Sequence, residues 1–354
     1  MKQNIIKQLL IFTLVITGCK KSNILETELP LPENTKGVYI LNEGNFMKSN
    51  ASLSYFIPDS QKVYQDVYYS ANNRALGDAA NDIVINQNRA YIVVNNSHKI
   101  EVVSTETNKS LGTIQLPNKS PRRIVIYNSN LGYVSNWNDN SITVFNPTTL
   151  EIIKNTITVG NQPEGMAIAN GKIYVCNSGW GSDSTISVIN TTTNEVVKKI
   201  NVGKQPYDIA VDSDGEIIVK CSGYSDWSNP SNDLPGGIFV INSTSDSVVS
   251  KTILSLQTFG HPDKMAVSQG GFALLKVLNG ILKFDTKSNQ IINQNYISNL
   301  SAYGIGIDDA KQKIYVTDPK NYTVNGKVYI YEFSGALRDS ITAGLIPSVI
   351  AFKR

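Results

Sequence analysis

Histidine is nearly missing from the chain, with only His98 and His261 in 354 residues, and cysteine is scarce at three. Neither histidine has a sequence-level nucleophile or base partner, which leaves little for histidine-based acid–base chemistry. Cys19, Cys176 and Cys221 form no C-x-x-C or Cys/His ligand spacing, so no metal site is expected. Charge is also low. Charged residues make up 17% of the chain, and 32 Lys and Arg against 29 Asp and Glu give +3. That balance lacks the footprint of a nucleic-acid binder, and no nucleic-acid partner is expected. Catalytic signatures are missing too: there is no G-x-S-x-G, H-E-x-x-H, P-loop or strand-borne G-x-G-x-x-G. Asp212-Ser-Asp214-Gly215 lacks the later ligands of a calcium loop and reads as a hairpin turn. Acidic loop residues Asp139, Asp183, Asp226 and Asp263 could supply a carboxylate pair, as any four acidic loops could. The expectation is a protein that is not an enzyme and carries no cofactor. What the chain does have is 41% hydrophobic residues, 25 glycines and many Asn, Ser and Thr, which excludes disorder and a helical bundle and points to β-structure with many turns.

No apolar run reaches the ~20 residues of a spanning helix. Leu9 to Ile16 is eight residues long, follows Lys2 and Lys7, and leads to Ile16-Thr17-Gly18-Cys19. This resembles a bacterial lipobox and implies a signal peptide over 1–18, lipidation of Cys19 and attachment to the membrane through that lipid. Without the leader, 30 basic residues face 29 acidic ones, or +1. Residues 19–36, with Pro30 and Pro32, read as a tether. Lys20 directly after the cysteine resembles outer-membrane lipoproteins. Cell-surface exposure is expected, with the periplasmic face left open.

Residues 37–354 are one unit repeated. A proline, two variable residues and an apolar triplet recur at Pro121-Arg-Arg-Ile-Val-Ile, Pro163-Glu-Gly-Met-Ala-Ile, Pro206-Tyr-Asp-Ile-Ala-Val, Pro262-Asp-Lys-Met-Ala-Val and Pro347-Ser-Val-Ile-Ala-Phe, with weaker copies from Ala80 and Ala302. The anchors lie 40–45 residues apart except for one spacing of 56, and ~40–45 is the length of a four-stranded propeller blade. After each anchor comes a second strand such as Lys172-Ile-Tyr-Val-Cys-Asn177, a third such as Ile186-Ser-Val-Ile-Asn190, and a fourth after a Thr/Asn-rich turn. Gly37-Val-Tyr-Ile-Leu-Asn42 matches a second strand without a first, and Pro347–Phe352 a first with nothing after it. The prediction is an all-β, seven-bladed β-propeller of four-stranded antiparallel blades, closed by pairing of the N- and C-terminal strands. Closure removes the open edges that a two-domain sandwich array would leave. Cys176 and Cys221 fall one strand position apart, on opposite sheet faces, and are expected to be buried free thiols.

In such a meander the loops before strand one and between strands two and three share a face. That face collects Phe46, His98, Arg122, Trp137, Asp139, Trp180, Asp183, Tyr207, Tyr224, Trp227, His261 and Tyr322, which include all three tryptophans. The long spacing comes from an insertion, Cys221 to Gly237, that carries Trp227. Large aromatics among Asn, Asp and Arg suit a binding surface for a sizeable polar ligand or a protein. The alternative is that each tryptophan packs locally against its neighbouring blade.

The repeated P-x-x-[IM]-A-[IV] followed by I-Y-V-x-N, with Val188-Ile-Asn-Thr-Thr-Thr-Asn-Glu-Val-Val197, is similar to YncE-like seven-bladed propellers over almost all of 37–354. The opening Gly37-Val-Tyr-Ile-Leu-Asn-Glu-Gly-Asn45 behind a lipobox resembles the Bacteroidetes lipoprotein branch of that group, which includes BtuG-type proteins. The resemblance implies a binding lipoprotein of the outer membrane, with cobalamin or another corrinoid as ligand and a TonB-dependent transporter as partner. A scaffold or adhesin that binds a protein or glycan stays open beside it, and an enzyme using the channel ranks third.

Overall fold

The computed structural model describes residues 31–354. The predicted signal peptide, Cys19 and most of the tether lie outside the described residues.

Short β-branched and aromatic runs, separated by Asn, Gly, Asp and Thr, form 28 strands in seven four-stranded antiparallel sheets. Blade 1 opens with inner strand Ala80–Asn86, blade 2 with Pro121–Ile126, blade 3 with Pro163–Ala169 and blade 4 with Pro206–Val211. Blades 5 and 6 open later than their anchors, at Met265–Ser268 and Gly304–Asp308. Blade 7 joins the two ends of the chain: Pro347–Lys353 pairs antiparallel with Gly37–Asn42, with Tyr39 opposite Ala351 and Ile40 opposite Ile350. The seven blades and their closure are those expected from the repeat.

Apolar side chains from facing blades form seven buried clusters, one in each gap between neighbours. A fully buried Val, Leu or Ile in such a layer contributes roughly 1.5–3 kcal/mol. Cys176 and Cys221 both belong to the layer between blades 3 and 4. Opposite sheet faces of adjacent blades look at one another, so the register that separates these cysteines in the repeat brings them into one core. Both are free and buried, and burial pushes Cys221 up to about 12 and Cys176 well above the usual thiol range.

Two residues of the I-Y-V-x-N motif have structural roles. Its tyrosine reaches the strand 3–4 turn of the next blade: Tyr39 Oη donates to Asn108 Oδ1 at 2.6 Å, Tyr91 Oη to the Pro147 carbonyl at 2.9 Å and Tyr133 Oη to Asn194 Oδ1 at 2.7 Å. Its asparagine latches strand two to strand three, as Asn177 Nδ2 donates to Thr185 Oγ1 and Ser187 Oγ at 2.9 and 3.0 Å. Buried polar groups paired in this way hold blade to blade without an unsatisfied donor.

The proline anchor also has a physical purpose. In blades 1, 2, 3, 4 and 7 the pairing of strands one and two slips immediately after the anchor position. The bulged residues are Asn81, Arg122 with Arg123, Glu164 with Gly165, Tyr207 and Ser348. Bulges re-aim side chains. Here they turn one or two variable residues per blade toward the central channel.

Candidate functional site at the channel mouth

The first bulge position supplies a ring of polar side chains joined across blades. Arg122 is its hub. Its Nη2 and Nε donate to Glu164 Oε1 at 2.9 and 3.2 Å, its Nη1 to Asn81 Oδ1 at 2.8 Å, and its Nη2 lies 3.4 Å from Tyr207 Oη. The ring continues through Glu43, which accepts from Asn81 Nδ2 at 3.2 Å and from Tyr303 Oη at 2.7 Å. Six blades are thereby linked. Glu164 is fully buried. Burial works against the Arg122 charge, yet the Glu164 carboxylate raises its pKa above the ordinary arginine value. Burial also pushes the Tyr207 phenol up to about 12, so both groups keep their protons, and the Tyr207 hydroxyl accepts from Arg122. In blade 5 the circuit stops: Asp263 turns to Lys276 Nζ at 3.0 Å.

The aromatic residues stand above this ring. The Trp137 ring lies 4.1 Å from the Arg122 guanidinium carbon, a cation–π contact, and meets Trp180 edge to face at 5.8 Å between centroids. Trp137 is half-buried, and its indole Nε1 is buried with no acceptor among the described residues. Trp180 is 62% exposed on a left-handed backbone (φ 49°). A groove of about 430 Å³ runs beside Trp137 between blades 2 and 3, and it is lined otherwise by Asn138, Asn140, Asn161, Gln162 and Ser182. It contains amides and an indole but no charged side chain.

Of the residues predicted from the sequence, Arg122, Trp137, Trp180 and Tyr207 come together. Tyr322 belongs to a second aromatic pair at blades 6 and 7, stacking edge to face on Tyr303 at 6.0 Å, and its carbonyl accepts from Asn45 Nδ2 at 2.9 Å, whereas the neighbouring Phe46 is exposed. Trp227, 92% exposed, stands apart on the blade 4 insertion. Tyr224 is bridged to Leu234 at the base of that insertion. The other predicted residues are engaged in holding loops. His98 Nδ1 accepts from Ser120 N at 3.3 Å. Asp139 pairs with Lys119 Nζ at 2.5 Å. Asp183 accepts from the backbone of Asn161, Ser184 and Thr185. His261 Nε2 lies 3.2 Å from Asp233 Oδ2 and its Nδ1 3.0 Å from the Ser222 carbonyl, which ties the insertion down. Asp226 organises the same loop, and hydrogen bonds from Ser228 and Asn232 lower its pKa to about 2. Local packing therefore accounts for part of Trp137 but not for Trp180 or Trp227.

Sequence reasoning did not single out Glu43, Asp82, Asp208, Lys220 or Lys264. A charged residue two positions after the repeat's anchor is the signal that points to three of them, Asp82, Asp208 and Lys264. Lys220 sits fully buried under Tyr207, its Nζ 4.8 Å from that ring and donating to Ser222 Oγ at 2.9 Å and the Pro262 carbonyl at 2.8 Å. Burial lowers its pKa to about 8.

Among solved structures the chain is similar to a quinonprotein alcohol dehydrogenase-like protein of Bacteroides thetaiotaomicron at 16% identity and a TM-score of 0.67, covering 90% of this chain and 78% of that one. A functionally unknown protein of Desulfotomaculum acetoxidans matches at 13% identity and a TM-score of 0.67, over 90% and 99% of the two chains. Hydrazine synthase of Kuenenia stuttgartiensis matches at 17% and 0.62, over 74% and 85%. At such identities the likeness is one of fold. No curated protein matches the sequence. The family described as a domain of unknown function, DUF5074, matches residues 36–343, and the chain belongs to that family.

Proposed function

We propose that this propeller is a non-catalytic binding protein that receives a neutral, amide-bearing ligand with a large apolar face at the groove beside Trp137, with a corrinoid such as cobalamin as the ligand. The observation that carries the reading is the groove itself: an uncharged, amide-lined wall beside Trp137, with Trp180 exposed against that ring. A corrinoid presents a broad ring edged with amides, which would meet Asn and Gln by hydrogen bonds and tryptophan by stacking. The acids of the mouth support binding over chemistry, because Glu164 and Glu43 are already bonded to Arg122, Asn81 and Tyr303. With the lipobox-like start, the reading places the protein on the outer membrane, where it would pass its ligand to a TonB-dependent transporter.

Isothermal titration with cobalamin and cobinamide tests this. Heat with wild-type protein is expected, and Trp137→Ala with Trp180→Ala should weaken binding at least about tenfold. Absence of heat at micromolar protein sinks the corrinoid reading. A second reading, a scaffold for a protein or glycan, is favoured by Trp227 and Leu234, both exposed on the insertion. Capture from envelope extracts that survives excess free corrinoid and is lost in Trp227→Ala would select it.

A further inference from the structure

Below the ring headed by Arg122, the next channel positions form a second level: Asp82, Arg123, Gly165, Asp208, Lys264 and Gly304 line a cavity of about 190 Å³. The two carboxylates of this level are spent on the backbone. Asp82 accepts from Ile83 N at 2.9 Å and, across the blade gap, from Ile124 N at 3.0 Å. Asp208 repeats the arrangement with Ile209 N at 3.1 Å and Met265 N at 2.9 Å. The cations are less fully engaged, Arg123 in part and Lys264 not at all among the described residues. Arg123 Nη1 donates to the Asn81 carbonyl at 3.0 Å and stands 3.9 Å from Asp82 Oδ1. Lys264 Nζ has no hydrogen-bond acceptor and no carboxylate within 4 Å among the described residues, and lies 5.3 Å from the centre of the Tyr207 ring. Burial first, and then the Arg123 charge, lower the Lys264 pKa, so the two cations feel each other through the channel. Gly165 and Gly304 allow the neighbouring blade's backbone to approach closely. A Cβ on Gly304 would meet the Ser348 carbonyl oxygen at 2.0 Å.

We propose that the channel binds a small oxyanion, a carboxylate or a phosphate, between Lys264 and Arg123. The ammonium offers three N–H donors and the guanidinium further ones in a fork that suits paired oxygens. An anion there satisfies both cations, whereas the aspartates keep their backbone bonds and need not move. The uncharged groove beside Trp137 lies at the blade 2–3 rim, so the channel site stands independently of what that groove binds.

The experiment is titration of the protein with inorganic phosphate and, separately, with malonate, in a buffer free of other multivalent anions. Heat with phosphate alone assigns phosphate, heat with malonate alone assigns carboxylate, and either supports the site if Lys264→Gln and Arg123→Gln each weaken it about tenfold or more. Lys264→Arg should restore most of the affinity, and Trp180→Ala should leave it unchanged while weakening the corrinoid. Because the Gln variants could fail to fold, amine labelling of Lys264 in wild-type protein, read by mass spectrometry, gives a second measurement. The bound anion should slow labelling at Lys264 selectively. No heat with either anion, equal affinity in folded variants, or unprotected Lys264 overturns the proposal.

Discussion

On the face formed by the strand 3–4 turns, Asn146, Asn190, Asn242 and Asp285 each accept the backbone N–H groups two and three residues onward, at 2.7–3.2 Å. The left-handed residue that ends such a turn, Asn108 or Asn194 for example, takes the tyrosine hydroxyl of the preceding blade. Most polar side chains there are consumed by their own loop or the preceding blade, with Thr286 Oγ1 and Asn289 Oδ1 in the blade 5 turn as unpartnered exceptions among the described residues. The opposite face shares the repeat but leaves a cation and aromatic surface over: the Lys264 ammonium, without an acceptor among the described residues, and the exposed rings of Trp180 and Trp227. A turn that satisfies itself builds a scaffold, and a loop that does not is free to bind. Repeat constancy sets the first face, and the variable two residues after each anchor, together with the loops between strands two and three, set the second.

The comparison predicts where substitutions act. Arg122→Met should be the costliest, since it strands the buried Glu164 carboxylate, with an expected loss of about 3–5 kcal/mol in urea unfolding. A loss below 1 kcal/mol would mean that the mouth ring is not a structural hub. On the turn face, Tyr174→Phe removes donation to Asp246 and to the Ser243 carbonyl and should cost about 1–2 kcal/mol with ligand affinity unchanged. Lys220 yields a pH signature. Its folded pKa, about 8, is below the unfolded value near 10.5, so the unfolded chain holds more protons above pH 8 and stability should rise with pH from 8 to 9. The slope has a ceiling of about 1.4 kcal/mol per pH unit. Above pH 9 the buried thiols, whose pKa values are raised, reverse the sign. Melting across this range should show the rise in wild type and not in Lys220→Met. Asn190→Ala, which loses one turn bond pair, should cost about 0.5–1.5 kcal/mol and spare binding. Trp180→Ala is the smallest for stability, within about 0.5 kcal/mol. Were it to destabilise as much as Tyr174→Phe, the two faces would not differ in kind.

Most of the architecture was legible because a repeat states its own register. The period located the inner strands, the unmatched ends foretold blade 7, and Asp212-Ser-Asp214-Gly215 is the expected turn, with Asp212 Oδ1 accepting from Asp214 N and Glu216 N at 2.9 Å. Within the site, legibility fell. Loop position alone put His98, Asp183 and His261 on the same footing as Arg122 and Trp137, because it says which face a residue joins and not which neighbour meets it. Asp82, Asp208 and Lys264 converge only through ring closure, being 56 or more residues apart along the chain. The cysteines show the same limit: sheet-face parity was read rightly, and its meaning changed once a second blade faced the first.

By itself the sequence determined seven blades, their circular closure and the face that bears the tryptophans, since those follow from period, strand alternation and antiparallel pairing. The tertiary structure alone decided which polar groups are satisfied. Hydrogen bonds and charges act over a few ångströms, so only the closed ring shows that Arg122 is bonded to Glu164 and Asn81 while Lys264, in the same channel, has no acceptor among the described residues.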